Sequence, residues 1–283
     1  MNIGVVLSGG FAKGAYQIGA LKAIAEFIPR HEIKYVSGAS VGALNGYALV
    51  TQKLNQAEKM WRSFCRDNDK IFAGKILRSK LLQEDIATIY SPDDILTAKM
   101  YCPLFDITHK RITYKDLQAV EKSKIPDYLK ACVAIPIYNH SVEIDKISYY
   151  DGAMIDNIPV FPLLKQRLDY MICIYFDNIS YKFENTYFDN KIIKISFPCE
   201  NILKQSLIFS KNNIDNMVKA GFARTTDILN SVLHHGYQDL DYIYRAISCK
   251  NLNEIRSLRI TGDVLVTKIN AISQKFIKKE IKM

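Results

Sequence analysis

The residues best suited to chemistry are in Gly38-Ala39-Ser40-Val41-Gly42, which follows the β-rich run Glu32-Ile33-Lys34-Tyr35-Val36. A serine flanked by glycines at a strand-to-helix turn is a nucleophile elbow. The sharp turn presents the Ser40 hydroxyl, and Gly38 and Gly42 leave room where side chains would meet neighbouring backbone. Chance alone puts such a pattern in roughly one chain in ten of this length. It becomes informative only with a base and an oxyanion hole beside it.

The base is the first requirement, because a serine hydroxyl is a poor nucleophile until a neighbour takes its proton. His31, His109, His140, His234 and His235 are available. His234 or His235 would complete the order Ser…Asp…His of an α/β-hydrolase. Both lie in Leu233-His234-His235-Gly236, at the end of a helical stretch, where histidine is a common capping device. The other three read as solvated loop or strand-end residues. Asp151, in Tyr149-Tyr150-Asp151-Gly152, is the better candidate: a strand running into an Asp-Gly turn would leave the carboxylate exposed at the strand's end. A lone Asp-Gly is more often simply a turn, with Gly152 supplying its backbone freedom.

A second glycine-rich turn, Ser8-Gly9-Gly10-Phe11-Ala12-Lys13-Gly14, joins the first strand to the first helix. Such a loop aims backbone N–H groups and a helix dipole at one spot, which suits an anion. A nucleotide fits poorly. Lys13 is followed by Gly14 rather than by Ser or Thr, and no G-x-G-x-x-G is present. Glu32 precedes the second strand instead of ending it, where a ribose would sit. If both turns open on one sheet edge, the first can hold the oxyanion formed when Ser40 attacks a carbonyl.

The elements that must position these residues begin with a buried strand over 2–7 and a helix over 13–28, closed by Pro29. A strand over 33–37 leads to the elbow and an Ala/Leu/Val-rich helix over 41–52. This β–turn–α–β–turn–α order implies an α/β fold with a parallel-rich central sheet flanked by helices. Residues 53–98 read as mostly helical. Strand-like segments follow at Leu104–Thr108, Ile147–Tyr150, Tyr170–Phe176 and Lys191–Ser196, and the pattern from about 200 is helical. With no repeat or linker, residues 181–283 are expected to pack on the same core as 1–180.

Composition sets the frame. The 283 residues are 48% hydrophobic and 24% charged, ordinary for a globular protein, and no run reaches the length of a membrane span. Six cysteines without a C-x-x-C pair fit neither a zinc site nor a disulfide framework, which favours a reducing compartment. No secretory signal is legible, so a cytoplasmic location is expected. The net charge of +9 comes with no nucleic-acid-binding motif. Its densest stretch, Lys275–Lys282 with Ile269 and Ile272 upstream, reads as a surface helix with a solvated lysine face, or as a basic amphipathic helix lying on anionic lipid.

Taken together, the glycine loop with its basic residue, the elbow about thirty residues later and the Asp-Gly-Ala motif resemble the patatin-like phospholipase family, in particular its bacterial members. Leu7–Leu21 reads LSGGFAKGAYQIGAL, and Asp151–Val160 reads DGAMIDNIPV, close to the family's D-G-G-x-x-x-N-x-P-V. Ala131–Pro136 resembles the segment upstream of the aspartate. The resemblance is clear over about residues 1–180, the expected catalytic domain, and thinner beyond. It implies a Ser–Asp dyad without histidine, in which Ser40 is the nucleophile and Asp151 its partner. It further implies an oxyanion hole from the loop of Gly9, Gly10, Phe11 and Lys13, with Lys13 bracing the loop more than touching substrate.

The implied activity is hydrolysis of phospholipids or related acyl esters through an acyl-enzyme, with no metal or cofactor, transient contact with a membrane surface and no nucleic-acid partner. A thioesterase or acyltransferase would use the same dyad. Phe11 stands where the family has a third glycine: the N–H survives, but φ > 0 would be costly for Phe. That departure motivates the alternative of a catalytically weak member serving in binding or regulation. Ala153 in place of the second glycine of D-G-G is a milder change.

Overall fold

Strand β1 (Ile3–Leu7) is five apolar residues buried on both faces, as the middle of a parallel sheet requires. The computed structural model describes residues 1–64, 71–72, 86, 88–136, 138–177, 180–183, 186–197, 208–253 and 257–260. The strands that follow β1 are β2 (Ile33–Gly38), the short β3 (Ile71–Phe72), β4 (Lys99–Asp106), β5 (Arg111–Asp116), β6 (Val142–Ile144) and β7 (Ile147–Asp151). Then come β8 (Tyr170–Tyr175), β9 (Ser180–Phe183), β10 (Ile192–Ser196), β11 (Ile208–Phe209) and β12 (Ser257–Ile260).

Eight of them form one sheet in the order β10-β8-β1-β2-β4-β7-β6, with β5 added to β4. From β10 to β4 every pairing is parallel, whereas β5 and β7 both run antiparallel to β4. The sheet is therefore parallel-rich with an antiparallel end. Tyr101 pairs with Ser37 of β2 and with Asp116 of β5, so these lie on opposite edges of β4. Because β5 occupies its edge as far as Asp106, β7 must share the edge used by β2.

Helices α1 (Gly14–Phe27), α2 (Val41–Val50) and α3 (Leu54–Ser63) cover one face, where Val5 and Leu7 join Ile18, Leu21, Leu44 and Trp61 in the main core. Helix α2 is buried from Gly42 through Val50, as its all-round apolar sequence demands. Val6, Met171, Cys173 and Tyr175 point to the other face and meet Leu163 of the short helical turn Phe161–Leu164. Next along the chain, α4 (Ile125–Cys132) precedes β6, while α5 (Lys211–Val232) and α6 (Leu240–Asn253) form the helical C-terminal part. Helix α5 lies backbone to backbone on α1. A Cβ added at Gly19 would fall 1.9 Å from the Val218 carbonyl oxygen, and one at Gly221 would fall 2.1 Å from that of Tyr16.

The structure differs from the sequence reading in places. The strand expected over 104–108 is β4, which begins at Lys99 and ends at Asp106. Leu104–Asp106 does pair with β7, but Lys99–Tyr101 pairs with β2 before it. Strand β5 carries no strand signal of its own, because its mixed sequence, Arg-Ile-Thr-Tyr-Lys-Asp, is that of an edge strand with no fully buried residue. The stretch 53–98 contains α3 and the two-residue β3, with much of the remainder outside the described residues. The basic stretch over 275–282 also lies outside them. Cys102, Cys132, Cys173 and Cys249 are free thiols. Among the described residues no helix is long and apolar enough to cross a membrane.

Candidate active site

Strand β2 ends in the elbow. Ser40 has φ 52° and ψ −128°, a left-handed conformation that a non-glycine residue adopts only under strain worth roughly 1–3 kcal/mol. The strain is held by close backbone packing: a Cβ at Gly38 would fall 2.4 Å from the Gly42 carbonyl oxygen, and one at Gly42 2.5 Å from that of Leu7. The Ala39 amide donates to the Leu7 carbonyl, which fixes the elbow to the end of β1. Helix α2 then starts at Val41, so its positive N-terminal end lies beside the hydroxyl.

Asp151 arrives from the opposite direction. Strand β7 runs along β4 toward the end of β2, with Asp151 level with Leu104 while Ser37 is level with Tyr101. Gly152 passes so close to β4 that a Cβ would be 2.3 Å from the Pro103 carbonyl carbon. The Asp151 amide donates to Ala134, and its carboxylate accepts from the Ala153 amide at 2.8 Å. The Ser40 hydroxyl is within hydrogen-bonding reach of that carboxylate. Burial pushes the Asp151 carboxyl up to about 7, against hydrogen bonds from Ser40 and the Ala153 amide, which favour the charged form.

The exposed carboxylate expected at the strand's end is thus corrected: Asp151 is only 2% exposed, because the meeting of two strand ends covers it. Ser40 is likewise buried, at 5% exposure, so the elbow does not present its hydroxyl to open solvent.

The glycine loop lies against the pair. A Cβ at Gly9 would come within 3.0 Å of the Ser40 Cβ and 2.6 Å of Asn157 Oδ1. The Gly9 amide donates to the Asn157 carbonyl, tying the loop to the segment after Asp151. The amides of Gly10 and Phe11 donate to no acceptor among the described residues, since they precede the first closed turn of the 3₁₀ segment Phe11–Lys13. Phe11 has φ 51°, so a phenylalanine occupies a left-handed position that suits glycine. The Lys13 amide is taken by the Gly10 carbonyl, and its buried side chain carries the ammonium 5.9 Å from the centre of the Phe176 ring. That ring packs against Gly10, where a Cβ would be 2.3 Å from Cδ2.

Three of the histidines are engaged elsewhere. His31 lies beside Glu32, His109 pairs with Asp106 at 2.8 Å, and His235 pairs with Asp239 and stacks on Tyr242. Among the described residues no three His, Cys, Asp or Glu side chains gather as a metal ion would require. Residues given no role in the sequence reading also shape the site. Asn157 clamps Gly9. Asp156 accepts the Tyr114 hydroxyl at 2.6 Å, which ties the loop after Asp151 to β5. Burial pushes the Asp156 carboxyl up to about 6, against hydrogen bonds from Tyr114 and the Ile158 amide. The motif Asp151–Val160 contains Asp156 and Asn157, but nothing in their spacing reveals their partners.

An elbow and a glycine loop at the carboxyl edge of a parallel sheet place this molecule among α/β proteins that bind ligands where the strands end. It belongs to the patatin-like phospholipase family, whose model matches residues 5–164, more than half of the chain. Membership implies a lipid hydrolase as its class of activity. No curated protein matches the sequence.

Solved structures with a similar fold include VipD from Legionella pneumophila, at 11% identity and a TM-score of 0.49, covering 97% of this chain and 74% of that one. The type III effector protein ExoU is similar at 11% identity and a TM-score of 0.41, covering 96% and 62%. A chain of the heterodimeric ExoU–SpcU complex from Pseudomonas aeruginosa matches at 15% identity and a TM-score of 0.40, covering 81% and 51%. The present chain thus spans about half to three-fifths of the length of those last two.

Proposed function

We propose that this protein hydrolyses carboxylic esters of phospholipids or related acyl lipids, with Ser40 as nucleophile and Asp151 as its base. The observation that carries the reading is the Ser40 hydroxyl, on a strained elbow, within reach of a buried carboxylate whose affinity for protons burial has raised. An ordinary carboxylate is too weak a base for this task, and one pushed up to about 7 suits it at neutral pH.

In this mechanism Asp151 takes the Ser40 proton as Oγ attacks the ester carbonyl. The Gly10 and Phe11 amides receive the oxyanion, a contribution of about 10²–10³ in rate per donor. Asp151 returns the proton to the leaving alcohol, and the acyl group stays on Ser40. Water, activated by Asp151, then releases the fatty acid. The Lys13 ammonium adds positive charge behind the loop. The substrate class brings the protein to lipid surfaces, with membrane contact transient and peripheral.

The test is acyl release from mixed phospholipid vesicles together with labelling by a fluorophosphonate probe. Wild type is expected to release fatty acid and to label, and Ser40→Ala to do neither. Folded wild type that neither labels nor releases acyl groups would overturn the reading. Turnover of acyl-thioesters, or acyl transfer to an added alcohol in preference to water, would keep the dyad and change the acceptor.

A further inference from the structure

Behind the glycine loop runs a chain of buried polar side chains that the proposed chemistry does not use. Trp61 on α3 donates its indole N–H to Asn45 Oδ1 at 2.9 Å. Asn45, on α2, donates from Nδ2 to Gln17 Oε1 and to the Gly14 carbonyl, both at 2.9 Å. Gln17, on α1, donates from Nε2 to the Ser8 carbonyl at 2.7 Å. All three side chains are at most 1% exposed, in the middle of the main core.

The direction of the chain is fixed chemically. Indole is a donor only, so the oxygen of Asn45 must face Trp61 and its NH₂ must face Gln17. The oxygen of Gln17 is then taken, and its own NH₂ must turn to Ser8. A neutral amide placed in an apolar core without partners costs about 1–3 kcal/mol, and close-packed apolar residues would fill the same space without that risk. Stability alone therefore gives little reason for such a chain. Its two backbone endpoints do. Ser8 and Gly14 are the residues immediately before and after the loop Gly9–Lys13, and Asn45 lies on the helix that begins at the elbow.

We infer that Gln17 and Asn45, oriented by Trp61, are positioning residues that hold the oxyanion loop at a set distance from Ser40. The inference rests on the proposed hydrolase reading. Two further features need such a clamp. Phe11 in its left-handed conformation would relax if the loop were free to move. Gly14 packs so tightly on the Trp61 ring that a Cβ would be 2.4 Å from Cζ2, so the indole sets the loop's height as well as the amide orientation. Oxyanion donors act only when held about 3 Å from the forming charge, so small drifts are expressed as lost turnover.

Gln17→Met removes the bonds to Ser8 and Asn45 at nearly constant volume, and Trp61→Phe removes the donor that orients Asn45 together with the ring edge that meets Gly14. Each is compared with wild type on a short-chain ester and on its thionoester, whose C=S accepts N–H hydrogen bonds poorly. Gln17→Met is expected to lower kcat on the ester by about 10²-fold with KM little changed. It should also reduce the ester-to-thionoester preference, with Trp61→Phe moving both in the same direction by less. Equal losses on the two substrates, or an unchanged preference in folded variants, overturn the inference while leaving the hydrolase reading intact. If Gln17→Met fails to fold, Trp61→Phe decides alone. Wild type without Ser40-dependent turnover overturns both readings, and that is seen before any variant is compared.

Discussion

Ser40 and Asp151 stand at the ends of two strands that run toward each other along one edge of β4, β2 parallel to it and β7 antiparallel. The strand ends meet beside Cys102 and Pro103, where each chain turns away from the sheet. That head-on meeting brings the Ser40 hydroxyl and the Asp151 carboxylate together, and it also excludes the water that would otherwise hold the Asp151 carboxyl at its ordinary acidity.

The pH dependence of turnover follows from that burial. Asp151 must be ionised to accept the Ser40 proton, and its carboxyl is pushed up to about 7. The value of kcat/KM is therefore expected to rise about tenfold per pH unit below an acid limb near pH 7 and to level above it. Asp156, raised to about 6 but held by Tyr114, is expected to leave the limb in place when changed to Asn. A pH–rate profile of wild type and Asp156→Asn checks both points, and a limb near 4 contradicts the role given to Asp151.

Stability should run the other way. A carboxyl whose folded pKa lies above its unfolded value of about 3.9 binds more protons in the folded state. Its contribution is present in full below that unfolded value and is lost as pH rises through about 7. Asp151→Asn removes the buried charge and keeps an acceptor for the Ala153 amide. At pH 8 it is expected to raise Tm, by roughly 2–4 °C for each kcal/mol recovered, while lowering turnover by about 10³–10⁴-fold. Thermal melts at pH 5 and pH 8 should show the gain chiefly at the higher pH.

Phe11 offers a cleaner comparison between two variants than against wild type. Phe11→Ala and Phe11→Gly lose the same ring contacts, and only glycine accepts φ 51° without strain. The glycine variant is expected to be more stable than the alanine variant by about 1 kcal/mol. Chemical denaturation of the pair measures the difference, and equal stabilities would mean that the loop relaxes.

Gly9→Ala places a methyl group 3.0 Å from the Ser40 Cβ and 2.6 Å from Asn157 Oδ1. The loop must withdraw from Ser40 to admit it. Turnover is expected to fall by about 10²-fold or more. Circular dichroism and kinetics on one preparation would separate this from unfolding, and full activity would exclude Gly9 from the site.

Much of the site was legible because its signals are local. A glycine on each side of Ser40, a glycine loop after an apolar strand and a strand ending in Asp-Gly all follow from backbone sterics within a few residues. They predicted β1, α1, β2, α2, the elbow and the turn at Gly152 at nearly their observed positions. Signals that depend on partners are not legible in the same way. Strand β4 was entered late because its first residues alternate only in relation to β2, and β5 reads as polar because its partner is at one edge. Gln17, Asn45 and Trp61 follow no spacing rule, since three different helices carry them.

The amino-acid sequence by itself determined which groups exist for chemistry: the serine on its turn, the loop amides, the aspartate, and a phenylalanine where glycine would be easier. The tertiary structure alone decided that Asp151 is buried, that it faces Ser40, and that Asn157 bonds to Gly9 and Gln17 to Ser8. The physical reason is range. Backbone conformation is set by clashes between adjacent residues, whereas desolvation and side-chain pairing depend on atoms contributed by strands and helices far apart in the chain.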